Sequence, residues 1–310
     1  MKIIFFGSDD FAKAHLETLL SSEHKVVACV TQPDKPKGRG LHVVMSPIKE
    51  SAQAHQIPFF QPESLKNPSL SEQLKEFKCD LFIVIAYGKI LPAQFLQIPY
   101  VCAINVHGSF LPKYRGAAPI NWAIINGEDE TGISIIKMNA TMDGGDIFAQ
   151  EKIKIDRNDT AMSLRAKMMA QGPELLLKTI NSLEDNNYTL TVQDSKAVTV
   201  AAKLTKELGH IDWNRSAHQI HNLVRGLNPW PSAYTFFKGK LLKILSTDVM
   251  MQDISSYKPG EIIGLHSKGF VVATMADALL VKQVHLESAK VMEASQFCLG
   301  HHVEVGFRFE

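Results

Sequence analysis

The stretch DLFIVIAYG, residues 80–88, decides how the first half of this chain folds. An unbroken apolar run that stops at a glycine reads as a strand covered on both faces, because a strand with one wet face would alternate. KIIFF (2–6), KVVACVT (25–31) and YVCAINVH (100–107) repeat the pattern around it. Helical spacing separates the runs. Asp9 or Asp10 can cap a helix that turns Phe11, Leu16, Leu19 and Leu20 inward; SPIKESAQAH (46–55) carries Pro47 at a first-turn position, and LSEQLKEF (70–77) follows. Buried strands alternating with helices predict a doubly wound, mostly parallel, Rossmann-like α/β sheet. GISIIKM (132–138) and DIFAQEKIKI (146–155) extend it as an antiparallel pair at one side, and residues 160–180 form a helix bent near Gly172-Pro173.

Beyond residue 184 the composition changes. EDNNYTLTVQDSKAVTVAAK is polar, short of large aliphatics and without a helical stripe. Residues 189–206 therefore read as an extended linker between one domain over 1–188 and another over 207–310. In the second, a helix (217–226) and the turn NPWPS (228–232) precede the short strands YTFFKG, KLLKILS, GEIIGL, GFVVAT and ALLVKQV. Their near-regular spacing predicts a small OB-like β-barrel.

The bulk numbers narrow the function classes. With 310 residues, 45% of them hydrophobic and 21% charged, the chain can build two cores. Its formal charge of +1 supplies no global field for a polyanion, so any nucleic-acid surface has to be local. Cys29, Cys79, Cys102 and Cys298 show no CxxC spacing and read as buried thiols of a reducing compartment, neither a disulfide framework nor a zinc site. The apolar start is too short for a signal peptide and no apolar run reaches about 18 residues, so a cytoplasmic protein without a membrane partner is expected.

Nucleotide fingerprints are missing where the fold would carry them. Gly7-Ser8-Asp9-Asp10-Phe11-Ala12 lacks the second and third glycines of a dinucleotide turn, and its carboxylates would repel a pyrophosphate. KPKGRG (35–40) has no Gly-Lys-Ser/Thr and is not a P-loop; it is either a solvated loop or a finger that brings Lys35, Lys37 and Arg39 to a polyanion.

Reactive residues gather at strand ends instead. Asn105 and His107 lie two apart at the carboxyl end of a strand, so they share a face, and ligands of open α/β sheets collect at that end. NATMDGGD (139–146), after another strand, carries Asp143 among glycines that permit a tight path. Asn, His and Asp around one point suit attack by an amine on a carbonyl: Asn105 and protonated His107 donate to the oxyanion, and Asp143 accepts a proton from the amine. No Ser or Cys sits in a nucleophile setting, which favours direct transfer. The bland readings stay open at this point: a strand-end histidine as a hydrogen-bonder, a glycine-flanked aspartate as a turn former, or His107 with Asp143 as a zinc pair that lacks a third ligand.

The segments NVHGSFLPKYRGAAPI and MDGGDI, with FFGSDDFA, TQPDKPKGRG, IVIAYGKILP and IDWNRSAHQIHNLVRGLNPWPSAY, resemble the folate-dependent formyltransferases, and among them those acting on initiator methionyl-tRNA. The resemblance spans nearly the whole chain. It implies that Asn105, His107 and Asp143 carry formyl transfer from 10-formyltetrahydrofolate to an amine. It implies that Ser109, Phe110, Leu111 and Pro112 border the folate, with Ile85, Tyr87, Gly88 and Leu91 along the pterin pocket. It implies, too, that Lys35, Lys37 and Arg39 meet the tRNA and that a C-terminal β domain contacts it; a monomer with no metal is expected. Ser8-Asp9 stands where the family has Thr-Pro, and Phe110 where it has leucine. A sugar-nucleotide formyltransferase is the alternative within the resemblance, since it also carries a second domain.

Overall fold

The computed structural model describes residues 1–37 and 42–309. Five strands of the first sheet are parallel: β1 (Lys2–Gly7), β2 (Lys25–Val30), β3 (Phe59–Phe60), β4 (Leu81–Ile85) and β5 (Cys102–His107). β6 (Glu130–Lys137) and β7 (Ile147–Lys154) extend the sheet beyond β5, giving the order β7-β6-β5-β4-β1-β2-β3, with β6 antiparallel to β5 and with β7 and β3 at the two edges. Every side chain of β4 is buried, as its unbroken apolar run requires. The two-residue β3 was not expected; Phe59 and Phe60 join the sheet by pairing with Cys29 and Val30.

Helices begin where the capping chemistry is. α1 (Asp10–Leu20) opens on Asp9, whose Oδ1 accepts from Ala12 N–H at 3.1 Å. Asp9 also meets Arg165 at 2.5 Å, so the residue that departs from the family pattern caps a helix and pairs with a cation. α2 (Pro47–Ala54) is capped by Ser46 and α3 (Pro68–Glu76) by Asn67, each with its proline in the first turn. α4 (Pro119–Ile125) was not foreseen among its Gly-Ala-Ala-Pro surroundings, whereas α5 runs unbroken from Ala161 to Glu184 with Pro173 inside it.

In the C-terminal part, α6 (Ala217–Gly226) starts on a Ser216–Gln219 capping box. Six antiparallel strands follow: β8 (Ala233–Phe237), β9 (Lys240–Met250), β10 (Ile262–His266), β11 (Gly269–Ala273), β12 (Ala278–Leu286) and β13 (Val291–Glu293). Their order is β8-β9-β12-β11-β10, with β13 on the free part of β12. A short helix α7 (Ala294–His301) closes the list and buries Phe297 beside Phe237 and Phe270. The chain groups into two compact units: Met1–Gly116 with Thr131–Ile153 and Arg165–Val200, and Ala117–Glu130 with Lys154–Leu164 and Ala201–Glu310.

Where a solvated loop or basic finger was expected, Lys35–Lys37 pairs antiparallel with His42–Val44. Arg39 lies outside the described residues.

Candidate active site

β5 ends with Asn105 partly exposed, Val106 buried on the opposite face and His107 buried. The loop after β6 returns Asp143 to them. Lys137 N–H donates to Asp146 O at 2.8 Å, which closes the loop at its base. A Cβ on Gly145 would stand 1.7 Å from the Lys137 carbonyl oxygen, so only glycine lets the two backbones approach this closely. Asp143 itself adopts φ +51°, a left-handed conformation that aspartate tolerates better than most residues.

This brings the three side chains together. Asn105 Nδ2 donates to Asp143 Oδ1 at 3.3 Å, and Asp143 Oδ2 accepts from Gly116 N–H at 2.8 Å. The same Oδ2 lies 3.6 Å from His107 Nδ1, longer than a formed hydrogen bond but close enough for the charge to act. On the far side of the ring, Nε2 stands 2.9 Å from the Tyr114 carbonyl. A carbonyl can only accept, so Nε2 carries a proton. Nδ1 is then the nitrogen that faces the carboxylate.

The segments implied to border the folate separate into inward and outward residues. Ser109 is fully buried and its hydroxyl donates to Lys113 O at 2.6 Å; Leu111 is buried too. Phe110 is partly exposed under the Lys152 ammonium, 5.4 Å from its ring centre, and Pro112 follows a cis peptide bond. Ile85, Tyr87 and Leu91 point into the core, while Ala86, Gly88 and Ile90 face out. Ser8 Oγ donates to Tyr87 O at 3.3 Å and Gln32 Nε2 donates to the same oxygen at 2.7 Å, so the serine hydroxyl at the family's threonine position braces this turn.

Several supporting residues escaped the sequence reading. Ser134 Oγ donates to Ser109 O at 2.7 Å and accepts from Leu111 N–H at 3.0 Å; Gln150 Nε2 donates to Leu111 O at 2.9 Å. A serine between Ile133 and Ile135 in a buried strand was the available signal, because an interior hydroxyl needs partners. Tyr114, Gln193 and Thr199 lay in segments read as loop and linker. Among the described residues, no group of three or more His, Cys, Asp and Glu could hold a metal ion, and no helix is long and apolar enough to cross a membrane.

Comparison with known proteins defines the class first. Residues 1–180 match the family described as formyl transferase, and residues 203–302 match the formyl transferase C-terminal domain. The methionyl-tRNA formyltransferase of Alkaliphilus oremlandii is 42% identical over 306 residues, covering 99% of this chain and 98% of the relative. That of Acetivibrio thermocellus is likewise 42% identical, with the same coverage. The chain belongs to the methionyl-tRNA formyltransferase family. Among solved structures, the N-formyltransferase of Helicobacter canadensis, in complex with folinic acid and dTDP-3-aminofucose, has the same fold. It superposes with a TM-score of 0.71 at 20% identity, covering 92% of this chain and all of that one.

Proposed function

We propose that this chain moves the formyl group of 10-formyltetrahydrofolate onto the α-amine of methionine charged on initiator tRNA, with Asn105, His107 and Asp143 performing the chemistry. The observation that carries this reading is the Asp143 carboxylate held between the Asn105 amide and the His107 ring. The neutral amine adds to the formyl carbon, forming the C–N bond and placing negative charge on the formyl oxygen. Asn105 Nδ2, with two hydrogens of which one reaches Asp143, and His107 Nδ1–H donate to that oxygen. Asp143 takes the proton released by the amine, directly or through water. When the intermediate collapses, the bond to folate N10 breaks, His107 gives its Nδ1 proton to the departing nitrogen, and Asp143 Oδ2 passes the proton taken from the amine to Nδ1, restoring both groups. No covalent enzyme intermediate is needed.

Phe110, Ala86, Gly88 and Ile90 offer the outward surface on which the folate ring system rests. Lys35, Lys37 and Arg39 supply local positive charge for the tRNA phosphates on a chain whose net charge is +1. A cytoplasmic monomer goes with this reading, and its four cysteines are buried free thiols. The sugar-nucleotide alternative has weaker support, since the sugar-directed relative is 20% identical while the methionyl-tRNA relatives reach 42%. A competition assay decides between them: both acceptors are offered with one pool of 10-formyltetrahydrofolate. Formylation of the charged tRNA is expected, and label appearing in the amino-sugar nucleotide alone would reverse the assignment.

A further inference from the structure

Two backbone positions flanking His107 are held in left-handed conformations by the same stretch of chain. Asp143 has φ +51° and Tyr114 has φ +63°, the latter a conformation unusual for a bulky residue. Such geometry is strained and persists only where the surroundings fix it. The fixing groups come from residues 191–199, within the segment whose composition reads as linker.

Gln193 is buried, unlike its neighbours, and all its polar atoms are engaged. Its Nε2 donates to Asp143 O at 2.9 Å and to Gly145 O at 2.6 Å. Its Oε1 accepts from Arg115 Nε at 3.0 Å and Nη2 at 2.7 Å. The amide has one possible orientation here, because a guanidinium only donates and carbonyls only accept. Nearby, Thr191 exchanges both backbone bonds with Ile147, N–H to O at 2.9 and 2.8 Å, which anchors the strap at the start of β7. At its other end Thr199 Oγ1 accepts from Tyr114 N–H at 2.8 Å, and Thr199 O accepts from Arg115 N–H at 2.9 Å. Tyr114 O is the acceptor that holds His107 Nε2. One strap therefore sets the carboxylate on one side of the imidazole and the carbonyl on the other.

We infer that Gln193 and Thr199 are positioning residues for formyl transfer: Gln193 acts through Asp143, and Thr199 acts through the Tyr114 carbonyl and His107. The inference rests on the catalytic reading of Asn105, His107 and Asp143 proposed above.

The test is a double-mutant cycle. Gln193→Glu keeps an acceptor for Arg115 and removes both donors to the loop carbonyls. Turnover of 10-formyltetrahydrofolate with charged methionyl-tRNA should fall roughly 10–10²-fold, the scale of a small misplacement, with the KM of both substrates nearly unchanged. In an Asp143→Ala background the same substitution should cost almost nothing further. Equal loss in both backgrounds, or wild-type turnover in Gln193→Glu, overturns the inference. Thr199→Ala should lower kcat and Thr199→Ser should restore it; identical behaviour of the two variants counts against the second anchor, and this pair reports even where Gln193→Glu folds poorly. Wild-type turnover in Asp143→Ala alone would sink the catalytic reading itself, whereas a crippled Asp143→Ala beside an unaffected Gln193→Glu sinks only the strap.

Discussion

Asp143 divides its work between two oxygens. Oδ2 accepts from the Gly116 N–H and faces His107, whereas Oδ1 accepts from Asn105. Asparagine would fit the same space and could still accept one of these bonds, but it brings no negative charge and no proton acceptor. Asp143→Asn is therefore expected to fold like the parent, with an unchanged thermal midpoint, while turnover falls roughly 10²–10⁴-fold, the range of acid–base and electrostatic groups. Steady-state kinetics beside a melting curve checks both halves. Turnover within a factor of two of the parent would leave Asp143 as a loop former, the bland role its glycine neighbours allow. Asn105 and His107 on one strand face, and Asp143 in a tight loop, were legible because strand alternation and a glycine loop are local signals; the meeting of the two segments left no such signal. Tyr114 and Gln193 were not legible. Their contribution lies in backbone conformation and in a bond to a loop 50 residues away in sequence, and neither leaves a periodic trace.

Between elements, the same contrast recurs. β1, β2, β4 and β5 were legible because mostly buried parallel strands carry predominantly apolar runs, while β3 is two residues long and α7 has no amphipathic stripe to announce it. The α1–α5 contact is a further case. His15 on α1 is fully buried; Nδ1–H donates to Phe11 O at 2.8 Å, and Nε2 has no partner among the described residues. A Cβ on Gly172 of α5 would come within 2.5 Å of that nitrogen, so the glycine beside Pro173 makes room for the ring. Burial outweighs the Phe11 bond and pulls the His15 pKa from 6.5 down to about 4. The unfolded chain then takes up a proton below pH 6.5 that the folded chain refuses until about pH 4. Stability is complete above the unfolded value and is lost as the pH falls through that window, by on the order of 3 kcal/mol in total. Urea unfolding of the parent and of His15→Leu between pH 7 and 4.5 measures it. The gap between the two curves should shift in favour of the leucine variant as the pH drops. Parallel curves would remove His15 from the acid response.

For the whole molecule the governing quantity is where charge sits, since positive and negative residues nearly cancel to +1. A tRNA carries a dense line of phosphates, and each phosphate neutralised by a lysine or arginine releases counterions, so affinity falls as salt rises. A near-neutral protein gains little from its overall field, and the slope of that fall reports a small number of local contacts. Lys35, Lys37 and Arg39 are the compact basic cluster in the sequence, and Lys35–Lys37 is braced by its ladder to His42–Val44. In the proposed reaction the formyl donor is met by residues at the strand ends of the α/β sheet and not by this basic cluster. Replacing Arg39 by alanine should therefore raise the KM for charged initiator tRNA and reduce its slope against log salt by about one. The KM for 10-formyltetrahydrofolate, measured in the same salt series, should stay put. If the tRNA slope of Arg39→Ala overlays the parent's from low to high salt, the acceptor is gripped elsewhere, and the 35–40 basic segment plays no part in choosing it.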